Sequence, residues 1–376
     1  MKMLNSWANG ASKLFSVLFL LFIFLLAIQL LGDCFHLLGN DFSVELVKTT
    51  SDPFVGLFVG ILSTVLVQSS SVTTSVIVGL VSGGALSVHN AVPLIMGANI
   101  GTTITSALVS LGHISRQKEF EKAFAGATMH DFFNLITVLI LFPIELMTGF
   151  LAKTASYLSG FLYGFETSHQ FESPIKIIIK PAAKFIKHSL LDLTGDPKLT
   201  GIFIFFLTLV GIFASLFFLV KILKSTLVQK IKIFVDRVFS SSGMLTMLIG
   251  IIITVMVQSS SITTSFMVPL IATGILSLEH AFPLTLGANV GTTVTALMAA
   301  LVGNIAGLTI ALVHLLFNVV GILIIYPIPK IRRIPIWCAI TLAKVAVQRR
   351  VFALVYIFVV FVFIPLAFIL VSRFMK

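Results

Sequence analysis

Long uninterrupted apolar runs constrain the fold of this chain more than any other feature of its sequence. Four of them occupy residues 14–31, 202–220, 281–302 and 351–371. Each approaches or exceeds the ~18–20 residues that a helix needs to cross a bilayer. The first run is too long for a signal peptide and lacks a small-x-small cleavage site, so we expect a transmembrane helix there. The sequence predicts an all-α polytopic membrane protein surrounded by the lipid bilayer.

Basic residues are concentrated between the apolar runs. Lys and Arg outnumber Asp and Glu by 25 to 14, with clusters at 221–237 and 330–350, which is typical of segments retained in the cytoplasm. No soluble basic face with base-stacking aromatic residues is visible, so no nucleic-acid partner is predicted. Compact loops and the absence of an Asn-x-Ser/Thr sequon favour a prokaryotic protein. We expect a multi-pass protein of the bacterial inner membrane.

The chain contains an internal repeat. Residues 60–105 and 250–295 align without a gap at an offset of 190, and 27 of the 46 positions are identical. Both copies contain the motifs QSSSxTTS and GANxGTTxT. A weaker match follows, between HDFFN at 130–134 and HLLFN at 314–318. Duplicated halves of this kind are typical of secondary transporters, in which the halves often have inverted topology.

An amphipathic stretch closes each copy, at 174–190 and 335–350, and its pattern indicates a helix lying in the membrane interface. The basic segments at 221–237 and after the second copy support inversion, whereas the Lys-rich stretch at 176–187 opposes it unless it lies in the interface. The predicted organisation is an N-terminal helix and connection (1–53), repeat one with its interfacial helix (54–190), a linking helix and basic cytoplasmic loop (191–239), repeat two with its interfacial helix (240–350) and a C-terminal helix (351–376).

The polar motifs interrupt apolar sequence. The run before the first QSSS, at 54–67, has 14 residues, so a helix over it would be ~21 Å long, too short for a ~30 Å hydrocarbon layer. Short helices meeting at a polar tip are typical of re-entrant hairpins and broken transmembrane helices, which line cavities. Helix N-termini at such tips offer N–H groups and a positive dipole end to an anion.

The side chains of these motifs suit a small oxyanion and a small hard cation. Serine hydroxyls donate to phosphate oxygens, Gln can serve either ligand, and Asn and Thr supply neutral oxygens. The candidates are Gln68, Ser69, Ser70, Ser71, Asn99, Thr102, Thr103 and Thr105, with Gln258, Ser259, Ser260, Ser261, Asn289, Thr292, Thr293 and Thr295 in the second copy. Glycines of the GAN motifs are expected to let the backbone turn and approach the ligand; they are Gly97, Gly101, Gly287 and Gly291.

Helix packing is the alternative role for these polar residues, because Ser, Thr and Asn often hydrogen-bond a neighbouring membrane helix. Seven polar residues around a single apolar one, present twice, favour binding instead. His130 and Asn134 lie on one helix face, as do His314 and Asn318, and we expect these pairs to tie helices together. A proton-relay or gating role for Asp131 is the alternative.

The doubled QSSS and GAN(I/V)GTT motifs, with AFAGATMHDFFN between them, resemble the type II sodium–phosphate cotransporter family. The resemblance covers about residues 50–350. It implies two inverted repeats whose QSSS-bearing re-entrant segments meet around phosphate and sodium. It also implies Na⁺ as the co-transported ion, with no organic cofactor.

The resemblance implies ligands for both ions. Phosphate would be bound by Ser69, Ser70, Ser71, Asn99, Ser259, Ser260, Ser261 and Asn289. One sodium site would use Gln258, Thr292 and Thr295, and its pseudo-symmetric counterpart would use Gln68, Thr102 and Thr105. The division of these groups between ion and substrate stays open.

The connection after the first GAN motif departs from the family pattern. It reads LGHISRQKEF, with Ser115 and Arg116 where electrogenic animal members carry an Asp. The resemblance then implies fewer coupled sodium ions, with electroneutral transport as one outcome.

We therefore expect a symporter that imports inorganic phosphate with sodium by alternating access. A transporter of another oxyanion or a small organic anion stays open, because neutral donors cannot exclude it. An intramembrane serine hydrolase using His130 or His314 would need a G-x-S-x-G-type turn, which the sequence lacks, so no enzyme is predicted. A non-transporting phosphate sensor is a further alternative. The oligomeric state stays open, with a homodimer as one option.

Overall fold

The computed structural model describes residues 2–39, 50–163, 174–227 and 242–374, together with residues 44, 47 and 48. Within these ranges the chain is helical and has no β-strand. In this described part, six helical stretches are long and apolar enough to cross a membrane: Ser12–Phe35, Val88–His113, Gln117–Thr148, Pro197–Leu223, Ile305–Ile325 and Val351–Phe374. The prediction of an all-α polytopic membrane protein is confirmed.

The helices follow one another with short connections. In the first half of the chain they are α1 (Lys2–Leu38), α2 (Pro53–Val67), α3 (Ser70–Ser82), α4 (Val88–Gly101), α5 (Ile104–Ser110), α6 (Gln117–Thr148), α7 (Phe150–Tyr163), α8 (Pro174–Thr194) and α9 (Pro197–Leu227). In the second half they are α10 (Gly243–Val257), α11 (Ser260–Ala272), α12 (Leu278–Ala300), α13 (Ile305–Ile325), α14 (Pro329–Gln348), α15 (Val351–Phe358) and α16 (Ile364–Phe374). A π-helical segment, Val359–Phe363, joins the last two. Residues 228–237 of the predicted cytoplasmic loop lie outside the described residues.

The sequence repeat is also a repeat of helices. α2 and α3 have the same boundaries as α10 and α11 once the sequence offset of 190 is applied. Each copy begins at a polar N-cap: Asp52 accepts a 2.9 Å hydrogen bond from Phe54 N, and Ser242 accepts a 3.4 Å bond from Leu245 N. Local sequence therefore determines where each short helix starts.

Glycines bring the first and third helices of each copy into backbone contact. A Cβ on Gly97 would lie 1.9 Å from Leu57 O, and one on Gly287 would lie 1.9 Å from Met247 O. α4 therefore packs closely on α2, and α12 packs closely on α10. The prediction that GAN glycines allow backbone turns is wrong. Their missing Cβ serves helix packing, and all of them, Gly97, Gly101, Gly287 and Gly291, lie within helices and outside the positive-φ region.

The predicted helix interruptions occur at both QSSS motifs but at only one described GAN motif. Gln68 and Ser69 separate α2 from α3, and Gln258 and Ser259 separate α10 from α11. In the first copy α4 ends before Thr102 and α5 begins after Thr103. In the second copy α12 runs without a break through GANVGTT, so the expectation of a broken helix is wrong there.

The two copies pack into each other. The long helix α6 of the first copy packs against α14 of the second, and α13 of the second packs against α7 of the first. The predicted amphipathic stretch at 335–350 belongs to α14, which begins six residues earlier at Pro329 and contains Pro335 in its interior. The long helices expose large apolar side chains such as Phe206 on α9 but bury small polar ones such as Ser215, as expected of helices facing lipid.

Candidate functional site

The two QSSS turns line one cavity of about 660 Å³. It is formed by the tips of both copies and closed on one side by apolar side chains of α9, including Phe213 and Phe217. The predicted site residues that line it are Gln68, Ser69, Ser71, Thr105, Gln258, Ser259 and Ser261. Among the described lining residues none carries a charge. Long-range packing therefore brings together two motifs that are 190 residues apart.

Gln68 and Gln258 have an unusual backbone conformation. Their φ angles are +54° and +58°, and among the described residues no other non-glycine residue has a positive φ. A left-handed conformation costs a non-glycine residue roughly 1–2 kcal/mol, and such strain is concentrated at functional sites. The strained residues are the two that end the helices leading into the cavity.

The first serine of each motif starts the helix that leaves the cavity. Ser69 accepts a hydrogen bond of 3.3 Å from Val72 N, and Ser259 accepts one of 3.4 Å from Ile262 N. Both serines also line the cavity, so α3 and α11 begin at its wall. Two helix N-termini therefore contribute a positive dipole end to a space without cationic side chains.

Several buried hydroxyls near the turns have no hydrogen-bond partner in the described part of the chain. Ser260 Oγ and Thr105 Oγ1 belong to this group, together with Ser265 Oγ, and the last two residues line the cavity. Ser260 is only 2% exposed. Buried polar atoms in native proteins normally have a partner. Buried hydroxyls without a protein partner near the QSSS turns favour a polar ligand at the cavity.

Three hydrogen bonds connect a QSSSxTTS motif of one copy to the other copy. Ser71 Oγ donates to Gln258 O at 3.3 Å, and Ser261 Oγ donates to Thr102 O at 3.5 Å. The hydroxyls of Ser106 and Thr264 lie 2.7 Å apart. Ser70 is buried beside these residues, with its carbonyl accepting from Thr74. Each QSSS turn is therefore positioned by hydrogen bonds to the other copy as well as by bonds within its own copy.

The two predicted sodium sets differ in geometry. In the second copy Thr295 Oγ1 donates to Gln258 Oε1 at 2.9 Å, and Gln258 is buried. In the first copy Gln68 is exposed, and Thr105 Oγ1 has no partner among the described residues. Other threonines of both GAN motifs donate to nearby backbone carbonyls, of α4 in the first copy and of α12 in the second; they are Thr102, Thr103, Thr292 and Thr293. The second set therefore contains a direct Thr295–Gln258 hydrogen bond that the first set lacks.

Asn99 and Asn289 do not line the cavity but belong to a buried amide network. Asn134 Nδ2 donates to Asn99 O at 2.7 Å, and Asn289 Nδ2 donates to Oδ1 of Asn318 at 2.7 Å and of Asn134 at 3.1 Å. Asn318 Nδ2 donates in turn to His314 O at 3.2 Å. These bonds connect α4, α6, α12 and α13.

A buried carboxylate lies beside this network. Asp131 Oδ2 accepts a 3.0 Å hydrogen bond from the Tyr356 hydroxyl, and Asp131 is fully buried. Within the described residues Asp131 Oδ1, both ring nitrogens of His130 and Nδ1 of His314 have no partner. No group of three or more His, Cys, Asp or Glu side chains in the described ranges could hold a metal ion.

Three parts of this region were not predicted from the sequence. Tyr356 is a single tyrosine in the apolar C-terminal helix, and its contact with Asp131 spans 225 positions. Ser106 follows the first GAN motif, and its partner Thr264 belongs to the second QSSSxTTS motif. The membership of Thr264 in that motif was the one signal in the sequence for this contact. The aromatic wall contributed by α9 has no local sequence signal, because any apolar transmembrane helix would contain such residues.

Comparison with known proteins identifies relatives along most of the chain. The Na⁺/Pi-cotransporter family model matches residues 23–167 and 212–369. The chain is 35% identical to sodium-dependent phosphate transport protein 2A of Rattus norvegicus over 92% of this chain and 65% of that protein. It is 32% identical to sodium-dependent phosphate transport protein 2B of Homo sapiens over 95% of this chain. The chain spans 65% of the length of each of these relatives. No solved structure matches the chain.

Proposed function

The chain belongs to the Na⁺/Pi-cotransporter family, and from this premise we propose that it imports inorganic phosphate together with sodium. The observation that carries the proposal is the shared cavity, where both QSSS turns and the N-termini of α3 and α11 meet. Relatives named as sodium-dependent phosphate transport proteins support the substrate and the ion. The protein is a multi-pass membrane protein, and we place it in the bacterial inner membrane.

Neutral groups perform the binding in this proposal. Hydroxyls of both serine clusters, including Ser260, and the first-turn N–H groups of α3 and α11 donate to phosphate oxygens. Gln258 and Thr295 supply oxygens to one Na⁺, and Gln68 and Thr105, which both line the cavity, supply them to a second. Sodium binds first and offsets the charge of the phosphate, because an uncompensated anion at membrane depth is costly. The amide network that contains Asn99 and Asn289 holds the GAN helices in position behind the site.

Alternating access of two inverted repeats is the proposed mechanism. The weak bonds between the copies at the tips, from Ser71 to Gln258 and from Ser261 to Thr102, are long at 3.3 and 3.5 Å. Rocking of one repeat against the other would exchange these bonds for bonds to the ligands. The repeat boundaries at 54–190 and 240–350, the inverted arrangement, electroneutral coupling and a homodimer stay predictions.

Uptake of radiolabelled phosphate into proteoliposomes tests the proposal. We expect accumulation with an inward sodium gradient and none with an equal potassium gradient, and excess sulfate should not compete. A voltage clamp imposed with potassium and valinomycin then tests electroneutral coupling, for which uptake is independent of membrane potential. Correctly inserted protein that shows no sodium-dependent uptake would contradict the proposal.

One observation favours a second candidate function, the transport of another oxyanion or a small organic anion. The cavity is large for inorganic phosphate and has an apolar wall that includes Phe213, Phe217 and Leu216. An organic anion with an apolar part could contact this wall. Competition of phosphate uptake by small carboxylates would support an organic anion, and competition by sulfate would support another oxyanion.

A further inference from the structure

A second cavity, of about 240 Å³, lies apart from the QSSS turns and at the opposite ends of α10 and α12. It is enclosed by the first turns of α10, α12 and α14. The polar residues that line it are Thr246, Glu279, His280, Tyr326, Arg332 and Arg333. None of them takes part in the phosphate and sodium site proposed above.

The cavity is cationic. Within the described part of the chain, neither Arg332 nor Arg333 forms an ion pair. The guanidinium carbon of Arg332 lies 5.1 Å from the centroid of the Tyr326 ring, so a cation–π contact holds this arginine at the wall. Glu279 is the acidic residue among the described lining residues, and it is exposed at the rim. Arg332 is partly buried and Arg333 is exposed, so two arginines against one exposed carboxylate leave a net positive site.

A buried hydroxyl adds a donor at the bottom of the cavity. Thr246 is fully buried, and its Oγ1 has no hydrogen-bond partner among the described residues. Thr246 is the fourth residue of α10, so its hydroxyl lies near the N-terminus of that helix. The first N–H groups of a helix have no partner within the helix. The N-terminus of α12 lies at the same cavity, with His280 in its first turn. Two positive dipole ends therefore supplement the arginines.

The equivalent place in the first copy has a different character. The cavity there has a volume of only about 10 Å³ and is lined by Pro53, His89, Asn90 and Glu145. The Glu145 carboxylate accepts from Leu151 N at 2.6 Å and from Ala152 N at 3.3 Å, so it caps α7. By the sequence repeat, Gly56 corresponds to Thr246 and Phe142 corresponds to Tyr326. The cationic cavity is therefore a property of the second copy and not a requirement of the fold.

We propose that this cavity binds a phosphate-type oxyanion, from free phosphate or from the headgroup of an anionic phospholipid. Guanidinium groups bind phosphate oxygens through paired, charge-assisted hydrogen bonds. Thr246 Oγ1 and the first-turn N–H groups that the caps Ser242 and Ser277 leave free supply further donors. α14 exposes Trp337 and Ile334 beside its arginines, a pattern typical of a helix at headgroup depth. The proposal does not depend on the transport function, because the two cavities share no residue.

Ligand-induced thermal stabilisation of the purified full-length chain tests this site. The background variant is Ser260→Ala, and sodium is replaced by choline, so that phosphate binding in the central cavity does not contribute. One arm titrates inorganic phosphate in detergent. The other compares nanodiscs of phosphatidylcholine with nanodiscs that also contain phosphatidylglycerol. A response to phosphate assigns the site to the free anion, and a response to phosphatidylglycerol alone assigns it to the lipid headgroup.

Three variants test whether the named residues form the site. Arg332→Gln/Arg333→Gln should weaken the response about tenfold or more, because each charged hydrogen bond is worth more than one neutral bond. Thr246→Val, which keeps the side-chain shape, should weaken it less. Arg349→Gln/Arg350→Gln, directly after the C-terminal end of the same helix, is the matched control and should respond like the background variant. The proposal is overturned if neither ligand stabilises the protein, or if the arginine variant and its control respond equally.

Discussion

Thr295 donates a 2.9 Å hydrogen bond to the side-chain oxygen of Gln258, whose backbone has a φ of +58°. This bond connects the GAN motif and the QSSS motif of the second copy. The corresponding residues of the first copy, Thr105 and Gln68, are not connected in this way, because Gln68 is exposed. Two sets with the same residue types therefore differ in whether the QSSS and GAN side chains are hydrogen-bonded to each other.

We expect the amide of Gln258 to be required for sodium-coupled uptake. Gln258→Gly removes the amide but suits a positive φ, so the variant should fold normally and lose at least about tenfold in sodium affinity, corresponding to ~1.4 kcal/mol. Sodium titration of phosphate uptake measures this change. Gln68→Gly is the matched variant in the first copy. Wild-type sodium dependence in Gln258→Gly would show that this amide does not bind the ion.

Loss of the Ser260 hydroxyl should abolish phosphate uptake. The hydroxyl is buried without a partner among the described residues, so Ser260→Ala removes no bond within the protein and should not destabilise the fold. Uptake and the amount of protein in the membrane are measured together. Ser215→Ala is the control, because Ser215 is equally buried but donates to Gly211 O of its own helix at 2.6 Å. Normal uptake by Ser260→Ala would contradict the proposed phosphate site.

A methyl group on Gly97 should destabilise the protein. Its Cβ would lie 1.9 Å from the carbonyl oxygen of Leu57, and backbone cannot move aside as a flexible side chain would. We expect Gly97→Ala to cost about 1–3 kcal/mol or more, measured as a lower melting temperature in detergent. Gly112→Ala, with nothing within 4 Å of its Cβ, should behave as wild type. Equal stability of the two variants would show that α2 and α4 can separate at little cost.

The contact between Ser106 and Thr264 should couple the two copies energetically. A double-mutant cycle with Ser106→Ala and Thr264→Val should give a coupling free energy of about 0.5–1.5 kcal/mol, the range for one hydrogen bond. Thermal or denaturant unfolding in detergent measures it. Ser215→Ala combined with Thr264→Val should be additive, since these side chains share no contact. Additive effects of the Ser106 and Thr264 variants would mean that the 2.7 Å contact contributes nothing to stability.

Sequence alone determined the features that depend on neighbouring residues along the chain. The apolar runs determine the membrane helices, and the doubled motifs place the turns at Gln68 and Gln258, because polar caps and short apolar segments act locally. The same duplication identified most of the polar residues that line the central cavity. It did not reveal that Asn99 and Asn289 join an amide network away from the cavity wall, since their partners belong to other helices.

Tertiary structure decided which of these residues meet, and what surrounds them. The bond between Tyr356 and Asp131, the aromatic wall of α9 and the cationic cavity at Arg332 join segments far apart in the chain. The helix is continuous through the second GAN motif but interrupted at the first, although the two motifs are nearly identical in sequence. Such differences depend on packing against helices that are not identical in the two copies, and packing between distant segments leaves no local pattern in a sequence.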